Sequence, residues 1–292
     1  MIRLPAHAKI NLYLRVLGKR PDGYHELETI FERIDLADEL SFESSPSGIQ
    51  LTCDAPALSC GNDNLIVKAA RLLQRVGNTS SGAAIHLTKR IPIAAGLGGG
   101  SSDAASTLLG LNELWQMRLP ASRLMELAAR LGSDVPFFLY QTPYAIGRGR
   151  GERCEPVSSS LMLFAVLAVP DAPLSTKEIY EAWDHQKKQE SVLTASTASI
   201  TIVAHALRNG SLRELAQGLA NDLAPAAIRR CPVIARIHAL LRDLGCLGVC
   251  LSGSGPSVFG LCTDEQQAQA LAGNLRRHGD PTWRVEVVRA GI

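Results

Sequence analysis

The stretch IPIAAGLGGGSSDAAST, residues 91–107, decides the reading of this chain. Four glycines, Gly96, Gly98, Gly99 and Gly100, stand within five positions, and two serines follow. Upstream, Ile85 and Leu87 alternate with His86 and Thr88, a strand pattern that stops at Pro92. Downstream, Ala104, Leu108, Leu111 and Trp115 recur on one helical face, so the glycines join a strand to a helix. Ser101 or Ser102 is placed to cap that helix. Unpaired N–H groups at a helix N-terminus, together with the helix dipole, favour an anion, and phosphate is the obvious candidate. A turn that needs glycine only for positive φ is the plainer alternative. It accounts poorly for four glycines set so close together. No P-loop is present, because the only Gly-Lys pair, Gly18-Lys19, is followed by Arg20. A dinucleotide fold fits loosely, since Ser101 stands where the last glycine of its fingerprint belongs.

With 292 residues, 46% apolar and 20% charged, the chain has the balance of a soluble globular protein with a sizeable core. The formal net charge of +2, with no Lys/Arg run, argues against a nucleic-acid partner. The most hydrophobic run, LMLFAVLAV at 161–169, reads as a buried strand, because a bilayer needs roughly 20 residues. The first 20 residues lack the apolar core of a signal peptide. Seven scattered cysteines include no C-x-x-C pair, and no histidine completes a zinc set near Cys246 and Cys250. Buried reduced thiols, a cytoplasmic location and no membrane partner are expected.

In AKINLYLRV, Ile10, Leu12, Leu14 and Val16 alternate with Lys9, Asn11, Tyr13 and Arg15, as in a half-buried strand. A turn with Pro21, Asp22 and Gly23 follows, then more strand through Phe42. Ile66, Ala69, Ala70 and Leu73 predict a helix, and Leu124, Leu127, Ala128 and Leu131 another that ends at Gly132. The pattern breaks over 151–160, and a Ser/Thr-rich loop is predicted at 191–199. The last third reads as strand, SGP turn, strand, helix and strand, with Thr263 and Gln266 in capping-box spacing. The expected fold is α+β in two domains, 1–155 with the glycine-rich phosphate loop and 156–292 like an αβ plait.

Four further places carry candidate chemistry. Asp134 sits in the apolar loop LGSDVPFF, where a carboxylate wants a cation or hydrogen bonds, unless it is a solvated turn residue. Lys9 and Asn11 share a strand face that an ordinary strand would turn to solvent. Tyr24 and His25 follow the first turn and read by default as a partly exposed hydrogen-bonding pair. The turns LSGSGPSVFG at 251–260 and GRGRGE at 147–152 read by themselves as a hairpin and a basic, flexible loop.

Together these pieces resemble the GHMP kinase superfamily. Its central loop stands here as Pro92-Ile93-Ala94-Ala95-Gly96-Leu97-Gly98-Gly99-Gly100-Ser101-Ser102, and its late turn as Ser252 to Gly255. RPDGYHEL, GLGGGSSDAA, LGSDVPFF and SGSG follow in order from Lys9 to Gly260, resembling the branch that phosphorylates cytidine diphosphate methylerythritol in isoprenoid precursor biosynthesis. The resemblance implies ATP and Mg2+ as cofactors and a small-molecule substrate, with a monomer or homodimer. It implies Asp134 as catalytic base and Lys9 as its electrostatic partner. The loop from Pro92 to Ser102 would wrap the ATP phosphates, and Asn64 and Leu65 would border adenine. Asn11, Tyr24 and His25 would hold the cytidine end, Tyr180 would supply the opposing aromatic wall, and Gly253, Ser254 and Gly255 would also meet substrate. No metal ligand is assigned, beyond a Ser101 or Ser102 hydroxyl by analogy. A homoserine- or mevalonate-type kinase would share the loop without RPDGYHEL, and a pure nucleotide binder would have no use for Lys9 and Asp134.

Overall fold

A computed structural model describes residues 1–140, 142–189 and 199–291. The chain opens with two long strands, β1 (Ile2–Lys19) and β2 (His25–Ser45), followed by β3 (Ile49–Cys53), helix α1 (Leu65–Gly77) and β4 (Gly82–Thr88). Next come α2 (Gly99–Leu114), α3 (Ala121–Leu131), a 3-10 turn (Pro136–Leu139) and the hairpin β5 (Tyr144–Gly149) and β6 (Arg153–Pro156). The second half holds β7 (Leu163–Val169), α4 (Thr176–Gln189), α5 (Ile200–Asn209), α6 (Leu212–Gly218) and the short β8 (Ala220–Asn221). It ends with α7 (Ala224–Arg230), α8 (Val233–Asp243), β9 (Gly248–Leu251), β10 (Val258–Cys262), α9 (Glu265–His278) and β11 (Arg284–Ala290). The loop predicted at 191–199 lies outside the described residues except for Ser199, whose side chain caps α5.

The backbone of the molecule is a sheet ordered β3-β4-β2-β11-β7-β10-β9. Strand β2 is long enough to pair with β1 along one edge and with β5, β11 and β4 in succession along the other. The α+β expectation holds, with the two halves sharing one sheet through β2 and β11.

β1 departs from clean alternation. Register shifts between His7 and Lys9, Asn11 and Tyr13, and Val16 and Gly18 insert extra residues, and each bulge turns the side chains that follow it. Tyr13 therefore leaves the Lys9–Asn11 face and packs in the core with Ile10 and Leu12, while Leu14 and Val16 join a separate core under α4 and α8. Neither face meets bulk water: Lys9 is 3% and Asn11 1% exposed. The predicted half-buried strand is buried on both sides.

Two capping expectations shift. Gly98, in the left-handed region at φ 71°, is the N-cap of α2 and offers no side chain, so Ser101 and Ser102 lie inside the first turn. At α9 the cap is Asp264, which accepts from the Gln267 amide, while the Gln267 side chain accepts from the Thr263 amide. The Thr263–Gln266 box is therefore not formed; a related pair one residue later takes its place, with Gln267 reaching back past the cap to Thr263. Of the seven free thiols, Cys231, Cys250 and Cys262 are buried, whereas Cys60 is exposed.

Candidate active site

The β4–α2 connection is held from beneath before it can hold anything itself. Asp38 of β2, fully buried, accepts from the amides of Arg90 and Ile91 at 2.6 and 2.8 Å. It also accepts from Lys89 Nζ, which donates as well to Asp103 Oδ2 at 2.9 Å in the first turns of α2. Two buried carboxylates thus share one ammonium, and burial, with the Asp38 charge beside it, pushes the Asp103 carboxyl up to about 7. Removing one member of such a group strands a buried charge, which costs roughly 3–5 kcal/mol. Asp38→Ala is expected to lower the unfolding free energy by about that much in urea titrations; a loss below about 1 kcal/mol would show that Asp38 does not anchor the loop.

From this base the loop rises to α2. The amides of Gly99, Gly100 and Ser101 have no intrahelical acceptor, since the first such bond runs from Ser102 N–H to Gly98 O. These donors and the helix dipole face a cavity of about 1110 Å³. That exceeds the roughly 300–1,000 Å³ of an ordinary ligand pocket, leaving room for two substrates together. Pro92, Ile93, Ala94, Ala95, Gly96, Leu97, Gly98, Gly99, Gly100 and Ser101 border it, as do Asn64 and Leu65. Ser102, 1% exposed, lies behind the wall.

Lys9 and Asp134 meet at the middle of this cavity. Lys9 Nζ stands 3.4 Å from Asp134 Oδ2, donates to Asn11 Oδ1 at 2.7 Å and to the Gly96 carbonyl at 3.2 Å, and lies 5.6 Å from the Phe31 ring centre. Asn11 in turn donates to Thr29 Oγ1 at 2.8 Å, and Thr29 donates to the Tyr13 carbonyl. The Asn11 amide is therefore engaged in orienting Lys9, although the residue also borders the cavity. Asp134 keeps 31% of its side chain accessible, as a group that receives a proton from a ligand must.

The late turn closes the floor. Ser252 Oγ donates to Gly96 O at 2.9 Å, and Asn221 holds the turn by donating to the carbonyls of Leu251 and Gly253. Gly253 and Ser254 border the cavity; Gly255 does not, and a Cβ there would point toward Leu251, Leu174 and Ile234. At the far end His25 is 8% exposed, stacked on Tyr180 at 4.8 Å between ring centres and edge-on to Trp183. Its Nε2 lies 2.7 Å from Asp184 Oδ1. The expected partly exposed pair divides: Tyr24 is exposed, whereas His25 is buried. The GRGRGE segment is the β5–β6 hairpin: Arg148 pairs outward with Glu28 and Glu155, while Arg150 lies 4.7 Å over the Tyr24 ring and borders the cavity.

Sequence reasoning passed over Thr29, Lys89, Asp38, Asp103, Asn221 and Asp184. Asp184 had a local signal, since it stands four residues after Tyr180 and shares its helix face. Asp103 lies inside the GLGGGSSDAA stretch with no local sign of its partner Lys89, and the others belong to long-range pairs with no sequence signature.

Phosphate can rest on a helix N-terminus in many binding proteins. A buried lysine set against an accessible carboxylate at the same cavity is a pair able to handle a proton and a developing negative charge. The GHMP kinases N terminal domain family matches residues 64–142 and the GHMP kinases C terminal family residues 203–281. The chain is 43% identical over 273 residues to the 4-diphosphocytidyl-2-C-methyl-D-erythritol kinase of Pelotomaculum thermopropionicum, covering 93% of each chain. It is 39% identical over 290 residues to that of Syntrophus aciditrophicus, covering 99% of each. A crystal structure of 4-(cytidine 5'-diphospho)-2C-methyl-D-erythritol kinase matches at TM-score 0.82 and 35% identity, with full coverage of both chains. L. major mevalonate kinase in complex with R-mevalonate shares the fold at TM-score 0.79 and 18% identity, over 99% of this chain and 96% of that one. The chain belongs to the 4-diphosphocytidyl-2-C-methyl-D-erythritol kinase family of the GHMP kinases and is an ATP-dependent kinase. Among the described residues, no helix is long and apolar enough to cross a membrane.

Proposed function

We propose that the chain transfers the γ-phosphoryl group of ATP to the 2-hydroxyl of 4-diphosphocytidyl-2-C-methyl-D-erythritol, a step of isoprenoid precursor biosynthesis. The observation that carries this is the 3.4 Å approach of Lys9 to Asp134, with helix amides at one end of their cavity and an aromatic His25–Tyr180 group at the other. ATP rests its phosphates on the amides of Gly99, Gly100 and Ser101 and its base near Asn64 and Leu65. The cytidine end lies by Tyr24, His25 and Tyr180. Asp134 takes the hydroxyl proton as the oxygen attacks the γ-phosphorus and ADP leaves, and Lys9 neutralises the charge that develops.

Among the described residues, no group of three His, Cys, Asp or Glu side chains is placed to hold a metal ion. Mg2+ would then be held in part through the phosphates of the nucleotide, as is usual where triphosphates are substrates. Of the two serines, Ser101 borders the cavity and is the hydroxyl available to it. When bound, the ion supplies charge neutralisation at the phosphates. The same reading divides the chain into 1–155 and 156–292. It places the protein in the cytoplasm as a monomer or homodimer without nucleic-acid or membrane partners.

ADP release with the cytidylyl alcohol, homoserine and mevalonate as competing acceptors tests the assignment. Turnover with the first alone is expected; turnover with either of the others in its place would overturn it. Lys9→Met keeps an unbranched apolar stem while removing the ammonium, and is expected to lower kcat on the order of 10²–10³-fold. An unchanged kcat in single-turnover assays would remove Lys9 from the mechanism.

A further inference from the structure

Three elements converge on one carboxylate at the far end of the cavity. Asp184 of α4 receives His25 Nε2 on Oδ1 at 2.7 Å, and Lys19, at the end of β1, on Oδ2 at 2.6 Å. Burial disfavours its charge, but the hydrogen bonds from Lys19 and His25 outweigh that and hold the carboxyl below the usual range. An ionised carboxylate can only accept, so His25 Nε2 carries the hydrogen. In the neutral ring Nδ1 is then a bare acceptor. It has no partner among the described residues, and His25 borders the cavity. The ring cannot turn to offer another edge, because Tyr180 stacks on one face and Trp183 meets it edge-on.

An acceptor fixed at that place suits a base whose edge carries an amino group, as cytosine does at N4. It opposes uracil, whose matching position is a carbonyl oxygen. We propose that Asp184, held by Lys19, is the positioning residue that fixes the His25 tautomer and so makes the site choose cytosine nucleotides over uracil nucleotides. This rests on the reading of His25 as a contact of the cytidine end. A histidine without its acceptor would share its hydrogen between the two nitrogens and would lose that choice.

Calorimetric titration of CDP and UDP tests this on the full chain, with a non-hydrolysable ATP analogue filling the other end. The wild type is expected to prefer CDP by about tenfold or more, the size of one hydrogen bond to a charged or strongly oriented group. Asp184→Ala is expected to bring the ratio within about threefold, while Asp184→Asn, which keeps a carbonyl acceptor, retains most of it. Nitrogen NMR of His25 in the unliganded wild type should show hydrogen on Nε2, a readout that needs no variant to fold. Hydrogen on Nδ1, or an unchanged CDP/UDP ratio in folded Asp184→Ala, would overturn the proposal. A wild type that keeps the CDP preference but does not phosphorylate the cytidylyl alcohol would count against the kinase assignment alone.

Discussion

Asp134→Asn is expected to lower kcat by about 10³-fold while ATP affinity changes by less than about threefold, because a positioned base is worth 10²–10⁴ in rate. The exchange keeps the size and shape of the side chain and its place between α3 and the 3-10 turn. It removes the capacity to take up a proton. It also leaves Lys9 without its charged neighbour at 3.4 Å, yet the ammonium keeps its bonds to Asn11 and Gly96, so the site does not collapse. Rapid-quench measurement of the first turnover isolates the chemical step from product release. A first turnover as fast as that of the wild type would assign Asp134 to structure and leave the hydroxyl proton to pass directly to phosphate oxygen. Loss of ATP binding would instead mean that the carboxylate shapes the phosphate site.

Gly96→Ala is expected to cost roughly 2–5 kcal/mol of stability and to abolish turnover, combining strain at positive φ with overpacking. Gly96 sits at φ 76°, and a Cβ there would fall 2.3 Å from the Ser252 carbonyl and 2.9 Å from that of Gly255. Both neighbours are backbone, so no side chain can swing aside. The same carbonyl of Gly96 receives Lys9 and Ser252, and any shift of the loop moves Lys9 with it. Gly100→Ala is the control: its Cβ would find Leu65 Cδ1 at 3.8 Å, an ordinary contact. Unfolding titrations should show Gly100→Ala close to wild type in stability, and steady-state kinetics a raised KM for ATP, since the added methyl would enter the cavity where we propose the phosphates rest. Equal losses of stability in the two variants would refute this division of labour.

The glycines thus divide in a way their spacing could not reveal. Gly96 meets the late turn, Gly98 the side chains of Lys9 and Phe138, and Gly99 those of Ile91 and Lys89. Only Gly100 is bare chiefly toward the cavity. The strand-loop-helix setting was legible because it depends on local periodicity, and so was the α1 stripe of Ile66, Ala69, Ala70 and Leu73, all buried. The bulge that turns Tyr13 into the core was not, because bulges arise from the pairing of two strands and leave alternation in either one apparently intact. The same applies to the network beneath the loop. Lys89, Asp38 and Asp103 are ordinary surface residue types until three separate elements close over them.

Read by itself, the order of residues determined the kinase family and singled out the glycine-rich loop, Lys9 and Asp134 as the groups to test, since these rest on motifs confined to short segments. Tertiary structure alone decided that the polar face of β1 is buried and that Asn11 serves Lys9. It also withdrew Ser102 and Gly255 from the cavity and tied His25 to Asp184. The physical reason is that a motif fixes which groups are available, whereas burial and hydrogen-bond partners are set by elements far apart in the chain. Those partners determine which nitrogen holds a hydrogen, which ammonium is turned toward a carboxylate, and which methyl group would find no room.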